Sequence, residues 1–143
     1  MAGENATQYD KLVQERILAY RQLEERMDSL VGQQASFISK VSEINSTLGA
    51  IDELASGKGD AMVPLGTAVY AKGMLDTAAK LVVEIGSGVA VERAPDEAKA
   101  MLEARRKDLG QAIDVLQKDI QTVAAMLQGI ENEMQAMMRS RGV

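Results

Sequence analysis

Few residues in this sequence carry groups that catalyse reactions or bind metal ions. The chain of 143 residues has no histidine and no cysteine, which excludes imidazole bases, thiolate nucleophiles, disulfides and metal sites built from either residue. Carboxylates remain, and they are most concentrated in the pairs Glu24–Glu25 and Asp52–Glu53. Such pairs can act as general acid and base or bind a cation. Here they fall at outward-facing helix positions, so we interpret them as solvated charge and predict no enzyme, no cofactor and no metal site.

Two other short motifs suggest ligand chemistry. Gly86-Ser87-Gly88 has the composition of a phosphate-binding loop, but no Gly-Lys-Ser/Thr follows it and the next element is a predicted strand. We therefore predict a hairpin turn there. The triplet Arg105-Arg106-Lys107 is a basic cluster beside acidic residues, which is typical of a solvated helix face. A docking site for an acidic partner is the alternative.

The overall charge disfavours several classes of partner. The net charge is −5, so the summed field attracts neither nucleic acid nor anionic lipid. No run of residues approaches the eighteen apolar positions of a membrane span, and the first twenty residues lack the apolar stretch of a secretion signal. These features predict a soluble cytoplasmic protein that binds neither nucleic acid nor membrane.

The elements that must position any functional side chain begin with a long helix at residues 1–56. No proline interrupts the segment from Ala6 to Leu54, and apolar residues recur there with the heptad spacing of a coiled coil. At about 1.5 Å per residue the helix would extend roughly 70 Å. Arg16 and Gln34 are polar exceptions of the kind that fixes register. The apolar core positions are Val13, Tyr20, Leu23, Met27, Leu30, Phe37, Val41, Ile44, Leu48 and Ile51.

A second helix of similar length is predicted at residues 95–143. Pro95 occupies the position that proline prefers at a helix start, and Asp96 and Glu97 follow it where the helix dipole favours negative charge. Two helices of equal length with a compact connector should fold back antiparallel, so that residues near 10 face residues near 139. The core positions are Leu102, Leu109, Ile113, Leu116, Ile120, Val123, Leu127, Ile130, Met134 and Met137.

The connector, residues 57–94, holds half of the glycines and reads as two β-hairpins. The predicted strands are 61–65, 68–75, 80–85 and 89–93, separated at Pro64-Leu65-Gly66, Asp76-Thr77 and Gly86-Ser87-Gly88. Isolated hairpins leave an apolar face and unpaired edges in water, so strands of other subunits should cover them. The residues expected to mediate oligomerisation are Val63, Leu65, Val69, Leu81, Val83, Ile85, Val89 and Val91.

Together these elements predict a mainly α fold with a small β element. It is a long antiparallel two-helix coiled coil whose connector forms two β-hairpins, and these hairpins assemble into an inter-subunit β-barrel. The chain is one domain with three parts: a coiled-coil helix at 1–56, an oligomerisation element at 57–94 and a second coiled-coil helix at 95–143.

Surplus apolar residues collect near the two chain ends. Several do not fit the heptad core, and methionine suits surfaces that adapt to many partners. Extension of the core stripe is the alternative for Ile130, Met134 and Met137. The residues expected to bind a partner at these tips are Leu12, Val13, Ile17, Leu18, Met126, Ile130, Met134, Met137 and Met138.

The sequence also resembles a known family over nearly its whole length, and the resemblance is most specific in the connector. The motifs Val63-Pro64-Leu65-Gly66, a tyrosine strand ending in Lys72-Gly73, and residues 83–92 (VEIGSGVAVE), placed between two coiled-coil helices, resemble the alpha class of archaeal prefoldin subunits. The resemblance implies a hexamer of two alpha and four beta subunits whose hairpins form a double β-barrel. It also implies a chaperone without ATPase activity, which holds nonnative polypeptides between its tips and passes them to a group II chaperonin.

The residues and the resemblance lead to one expected function. The chain is expected to be an ATP-independent chaperone subunit that captures unfolded polypeptides with its coiled-coil tips, prevents their aggregation and delivers them to a chaperonin. The alternative is a coiled-coil scaffold or spacer that binds folded partners along its helices.

Overall fold

The structure, a computed structural model, describes residues 2–141 and consists of two long helices separated by four short strands. The mainly α fold with two β-hairpins predicted from the sequence is confirmed. Within the described residues, neither helix contains a segment apolar enough to cross a membrane. The elements are α1 (Ala2–Ser56), β1 (Asp60–Gly66), β2 (Val69–Met74), β3 (Leu81–Gly86), β4 (Val89–Arg93) and α2 (Pro95–Ser140).

The chain packs as two compact units. The terminal unit contains the residues up to Ile38 and from Gln111 onward, and the hairpin unit contains Ser39–Gly110. In both units the heptad register predicted for α1 and α2 is confirmed, because every predicted core position is buried or half-buried. A seam between helices thus takes the place of a globular core.

In the terminal unit, the seam is centred on three buried side chains, Leu30, Leu116 and Val123. Half-buried apolar residues of both helices pack against them and complete the knobs-into-holes contacts of a coiled coil. Those residues are Leu23, Met27, Phe37, Ile120 and Leu127. The exchange of contacts across the seam makes the two helix segments of this unit mutually dependent for stability.

In the hairpin unit, the same two helices bury Leu48, Ile51 and Ala98. Polar contacts flank this core: the Lys99 ammonium lies 2.6 Å from the Asp52 carboxylate. The hydrogen bond and charge of Asp52 raise the pKa of Lys99, so the pair persists across the physiological pH range. Ala94 directly precedes α2, and its carbonyl accepts the first helical hydrogen bond, from the Ala98 amide at 2.9 Å.

The strands form two separate antiparallel hairpins, β1–β2 and β3–β4. The second hairpin turns at Ser87 and Gly88, whose φ angles of 53° and 76° are those of a tight hairpin turn, so the predicted turn is confirmed. The first hairpin differs from the prediction. β1 continues through Pro64 to Gly66, and the turn falls one step later, with Ala68 at a φ of 61°. Alanine rarely adopts this conformation, which is why the sequence pattern placed Ala68 in a strand.

Gly59 joins α1 to the first hairpin in a backbone conformation that requires glycine. Its φ is +85°, and a Cβ there would overlap the carbonyl oxygen of Leu75, whose amide donates to the Gly59 carbonyl at 2.7 Å.

We expect Gly59→Ala to lower the free energy of unfolding by more than about 1 kcal/mol, measured by denaturant titration. Gly49→Ala is the control, since a Cβ on this helical glycine meets no atom within 4 Å. It should be neutral or stabilise by up to about 1 kcal/mol. Equal losses in the two variants would contradict the strain assigned to Gly59.

Candidate functional site

The ends of the two helices meet in the terminal unit and enclose a groove. The Arg141 guanidinium lies 3.8 Å from the centre of the Tyr9 ring, a cation–π contact that brings the start of α1 against the end of α2. The groove beside this contact has a volume of about 330 Å³. Its lining is Tyr9, Asp10, Val13, Gln14, Met134, Met137 and Met138. The opening is large enough to accept one bulky side chain, and its α2 side is lined by three flexible thioethers.

The predicted tip residues divide into two groups in this unit. Leu12, Ile17, Leu18, Met126 and Met138 are exposed, and Leu18 is the most accessible, at 58%. Their side chains leave apolar atoms in water, where a partner can cover them.

The remaining predicted tip residues take part in the seam. Val13, Met134 and Met137 are half-buried and line the groove from its floor. Ile130 is only 8% exposed, so it can reach a partner only if the helices separate. The structure therefore lines the groove with four of the nine predicted residues, Val13, Met134, Met137 and Met138, and places Ile130 in the core stripe.

Polar contacts hold the helices in register next to the groove. The Tyr20 hydroxyl donates to the Glu131 carboxylate at 2.7 Å, and the Arg16 guanidinium lies 2.9 Å from the Glu133 carboxylate. The hydrogen bond to Glu131 raises the pKa of Tyr20, so the phenol stays protonated at neutral pH and remains a donor. Arg16, which interrupts the apolar pattern, therefore has a partner across the seam. These contacts fix the helices without using the exposed apolar side chains.

Tyr9 and Arg141 were missed as functional residues by the sequence pattern. Both lie on core positions of the extended heptads, since Tyr9 is seven residues before Arg16 and Arg141 is seven residues after Met134, but neither is an aliphatic side chain. The antiparallel alignment of residues near 10 with residues near 139 was a usable signal, because it places an aromatic ring opposite a guanidinium. Cation–π pairs of this kind depend on that cross-helix alignment rather than on local sequence.

The basic triplet of α2 differs from its interpretation as a solvated face. Arg105 donates to the Glu84 carbonyl at 3.1 Å, and Arg106 donates to the Asn45 side chain at 2.8 Å. Arg106 is half-buried at a core position of the heptad. Both arginines therefore join elements of the hairpin unit by hydrogen bonds, Arg105 between α2 and β3 and Arg106 between α2 and α1.

The hairpins carry the predicted oligomerisation residues in two states of exposure. Val63, Leu65, Val69, Ile85 and Val89 are exposed, whereas Leu81, Val83 and Val91 are half-buried. Val83 lies directly opposite Val91 in the β3–β4 ladder, and Val63 lies opposite Ala71 in β1–β2. Because opposed residues point to the same side of a hairpin, these pairs define one apolar face on each.

The first hairpin is also apolar on its other face, which the sequence pattern did not indicate. Met62, Tyr70 and Met74 are all exposed there, next to Asp60 and Lys72. Residues 2–141 contain no group of three or more acidic side chains arranged to hold a metal ion. The hairpin unit thus presents apolar strand surface on both faces of its first hairpin.

The family model and the curated relatives that match this chain all describe one family of proteins. A family model described as "Prefoldin subunit" matches residues 20–139. Curated relatives called "Prefoldin subunit alpha" include one from Methanothrix thermoacetophila, 33% identical over 67% of this chain and 64% of its own length. Another, from Methanobrevibacter smithii, is 28% identical over 87% of this chain and 83% of its own length.

A solved structure shares the fold. It is a filamentous PFD from Methanocaldococcus jannaschii determined by cryo-electron microscopy, with a TM-score of 0.68 and 21% identity. The match covers 84% of this chain and 98% of the other. At this identity the similarity concerns the arrangement of helices and hairpins.

Proposed function

Because this chain belongs to the prefoldin family and resembles its alpha subunits, we propose that it is an ATP-independent chaperone subunit. It captures unfolded polypeptides on the exposed apolar residues near its helix ends and prevents their aggregation. It then delivers them to a group II chaperonin. The family is one of chaperone subunits, and the finer steps of capture and delivery are our proposal for this chain.

The observation that carries the proposal is the set of exposed tip residues, the apolar side chains that stay accessible near the helix ends of the terminal unit. Leu12, Ile17, Leu18 and Met138 remain accessible although the seam beside them is closed. Unfolded proteins expose similar side chains, and each square ångström of apolar surface covered on binding contributes about 25 cal/mol. A few such contacts give weak binding from one subunit, which favours release as well as capture.

Assembly with partner subunits would turn weak contacts into firm capture. The exposed strand faces of the hairpin unit support an obligate oligomer, and the family resemblance suggests a hexamer of two alpha and four beta subunits built on an inter-subunit β-barrel. Several subunits that contact one client raise its effective concentration at each site. Capture then needs no nucleotide. We place the complex in the cytoplasm, where nascent and unfolded chains are available.

Point variants of the exposed tip residues test the proposal. In the full chain assembled with a beta-type partner, we expect Leu12→Ser, Ile17→Ser, Leu18→Ser and Met138→Ser combined to raise the amount of complex needed to suppress client aggregation by at least about tenfold. Burial of each side chain contributes on the order of 1 kcal/mol, and 1.4 kcal/mol corresponds to a factor of ten. Light scattering of a chemically unfolded client during dilution measures the effect.

Val115→Ser is the matched control, because Val115 is as exposed as Leu18, at 58%, and lies in the middle of α2. This variant should suppress aggregation as well as the unmodified complex does. If the quadruple variant also retains full suppression of aggregation, the four substituted residues do not bind clients. Binding of one folded partner with no preference for unfolded protein would favour a scaffold function instead.

A further inference from the structure

Away from the groove, the terminal unit contains a second exposed surface, which runs along one edge of its seam. Val31 and Ile38 of α1 are 47% and 52% exposed, and they lie seven residues apart on one helix face. Gln34 lies between them, three residues after Val31 and four before Ile38, so the three side chains are neighbours. The eleven residues from Ser29 to Ser39 include no charged side chain.

The facing part of α2 continues this surface. The Gln34 side-chain amide donates to Gln117 at 2.8 Å, which places Gln117 beside Val31 and Ile38 across the seam. Gln121 and Ala124 follow Gln117 at spacings of four and three residues, so they share its helix face. All three are exposed. We call this surface the central strip: Val31, Gln34, Ala35 and Ile38 of α1 with Gln117, Gln121 and Ala124 of α2.

The chemistry of the central strip indicates what would cover it. Its apolar side chains offer contact area, and its glutamine amides can donate to and accept from the backbone of an extended chain. A helix that only has to remain soluble carries charge on such a face, as α1 does immediately before the strip.

The charges that border the strip are negative at one end. Glu24 and Asp28 precede Val31 by seven and three residues, so both carboxylates lie on the face of α1 that the strip continues, with Arg21 as the nearest base on that face. On α2, Asp114 precedes Gln117 by three residues, but Lys118 follows Asp114 by four, so these two charges offset each other. An apolar centre with one acidic end is complementary to an apolar segment that has lysine or arginine on one side.

We propose that the central strip is a second client-binding surface, which takes nonnative segments made of apolar side chains with basic residues next to them, placed against Glu24 and Asp28. The inference rests on the proposed function, since it assumes that the chain binds unfolded polypeptides. It extends that function by naming a surface separate from the groove and a charge preference of the client.

Two fluorescent peptides of equal length test the inference. Both have the same apolar centre of leucine and valine, and they differ only in having lysine or glutamate at the ends. Fluorescence anisotropy with the full chain assembled with a beta-type partner should give at least threefold tighter binding of the lysine-flanked peptide. The preference should fall as salt is added, because exposed charges are screened. Equal affinity for the two peptides would overturn the charge assignment.

Variants then locate the preference. Val31→Ser combined with Ile38→Ser should weaken the lysine-flanked peptide at least fivefold, whereas Val115→Ser, on an exposed position outside the strip, should leave its affinity unchanged. Helix content by circular dichroism confirms that each variant is folded. If the strip variant binds both peptides like the unmodified protein, the inference is wrong. If it lowers the native mass of the complex and not peptide affinity, the strip is a subunit contact and the inference is also wrong.

The outcomes separate this inference from the proposed function. If the quadruple variant of the exposed tip residues loses binding and the strip variant does not, the inference about the central strip is wrong and the proposed chaperone function stands. No effect of either variant overturns both. A photoreactive phenylalanine placed at Gln121 should crosslink to the lysine-flanked peptide, and the same group placed at Val115 should not. The reverse result contradicts the proposal.

Discussion

Removal of residues 1–20 together with 131–143 is expected to abolish suppression of client aggregation while assembly with partner subunits persists. The deletion removes the groove and four of the five exposed tip residues, Leu12, Ile17, Leu18 and Met138. It retains the buried cluster of Leu30, Leu116 and Val123. The shortened helices should therefore still pair, because their stability depends on that cluster and on the hairpin unit. Light scattering of a diluted client and the native mass of the complex measure the two effects.

A second shortened chain provides the control for this deletion. Loss of residues 1–8 alone leaves Tyr9 and the groove in place, so suppression should stay close to that of the full chain. Full suppression by the longer deletion would show that clients bind elsewhere on the subunit. Failure of the shortened chain to assemble would contradict the assignment of assembly to the hairpin residues.

Val63→Asp is expected to prevent assembly almost completely. Val63 is exposed in the single chain, so a carboxylate there should cost little before subunits meet. In a β-barrel formed between subunits the same carboxylate would be buried without a partner, which typically costs more than about 3 kcal/mol and weakens assembly at least about 100-fold. Native mass measurements over a dilution series of the chain mixed with a beta-type subunit give the affinity.

The adjacent residue supplies a matched control in the same strand. Met62 is exposed as well but points to the other face of the hairpin, opposite Lys72. Met62→Asp introduces the same charge and gains a cross-strand ion pair with Lys72, so assembly should be nearly unchanged. Loss of assembly with Met62→Asp and retention with Val63→Asp would mean that the opposite hairpin face joins the subunits.

The coiled coil could be predicted from the sequence because a heptad pattern specifies which face of a helix is buried. Leu30 and Val123, for example, were expected at the seam and are buried there. The hairpin pairing followed from the alternation of β-branched and polar residues and from the Gly86-Ser87-Gly88 turn. Both are local signals, since each depends on residues only a few positions apart.

Contacts between distant residues were harder to predict. Arg106 looked like part of a solvated triplet, yet it donates to Asn45 across the seam. Lys99 and Asp52 form an ion pair that no local pattern indicates. Once the antiparallel register is known, these partners can be read from residue numbers, but the register itself must come first. The turn at Ala68 was missed for another reason, because its positive φ is unusual for a residue with a Cβ.

The candidate site was predicted in part. The exposed apolar residues near the chain ends were recognised because they do not fit the heptad. Ile130 does fit the heptad, and it is buried in the seam at that core position. Both faces of the first hairpin are apolar, so the alternation of residues along its strands does not identify the face that a partner covers.

The antiparallel pairing has a consequence for the order in which the chain folds. Asp52 and Lys99 are 47 residues apart in sequence, Gln34 and Gln117 are 83 apart, and Tyr20 and Glu131 are 111 apart. Closing a loop costs more entropy as it lengthens, so we expect the Asp52–Lys99 contact to form first and the others to form after it, toward the chain ends. We expect local opening of the helix pair to begin at the last contacts made. The residues proposed to bind clients would then lie where the native helix pair opens first and refolds last.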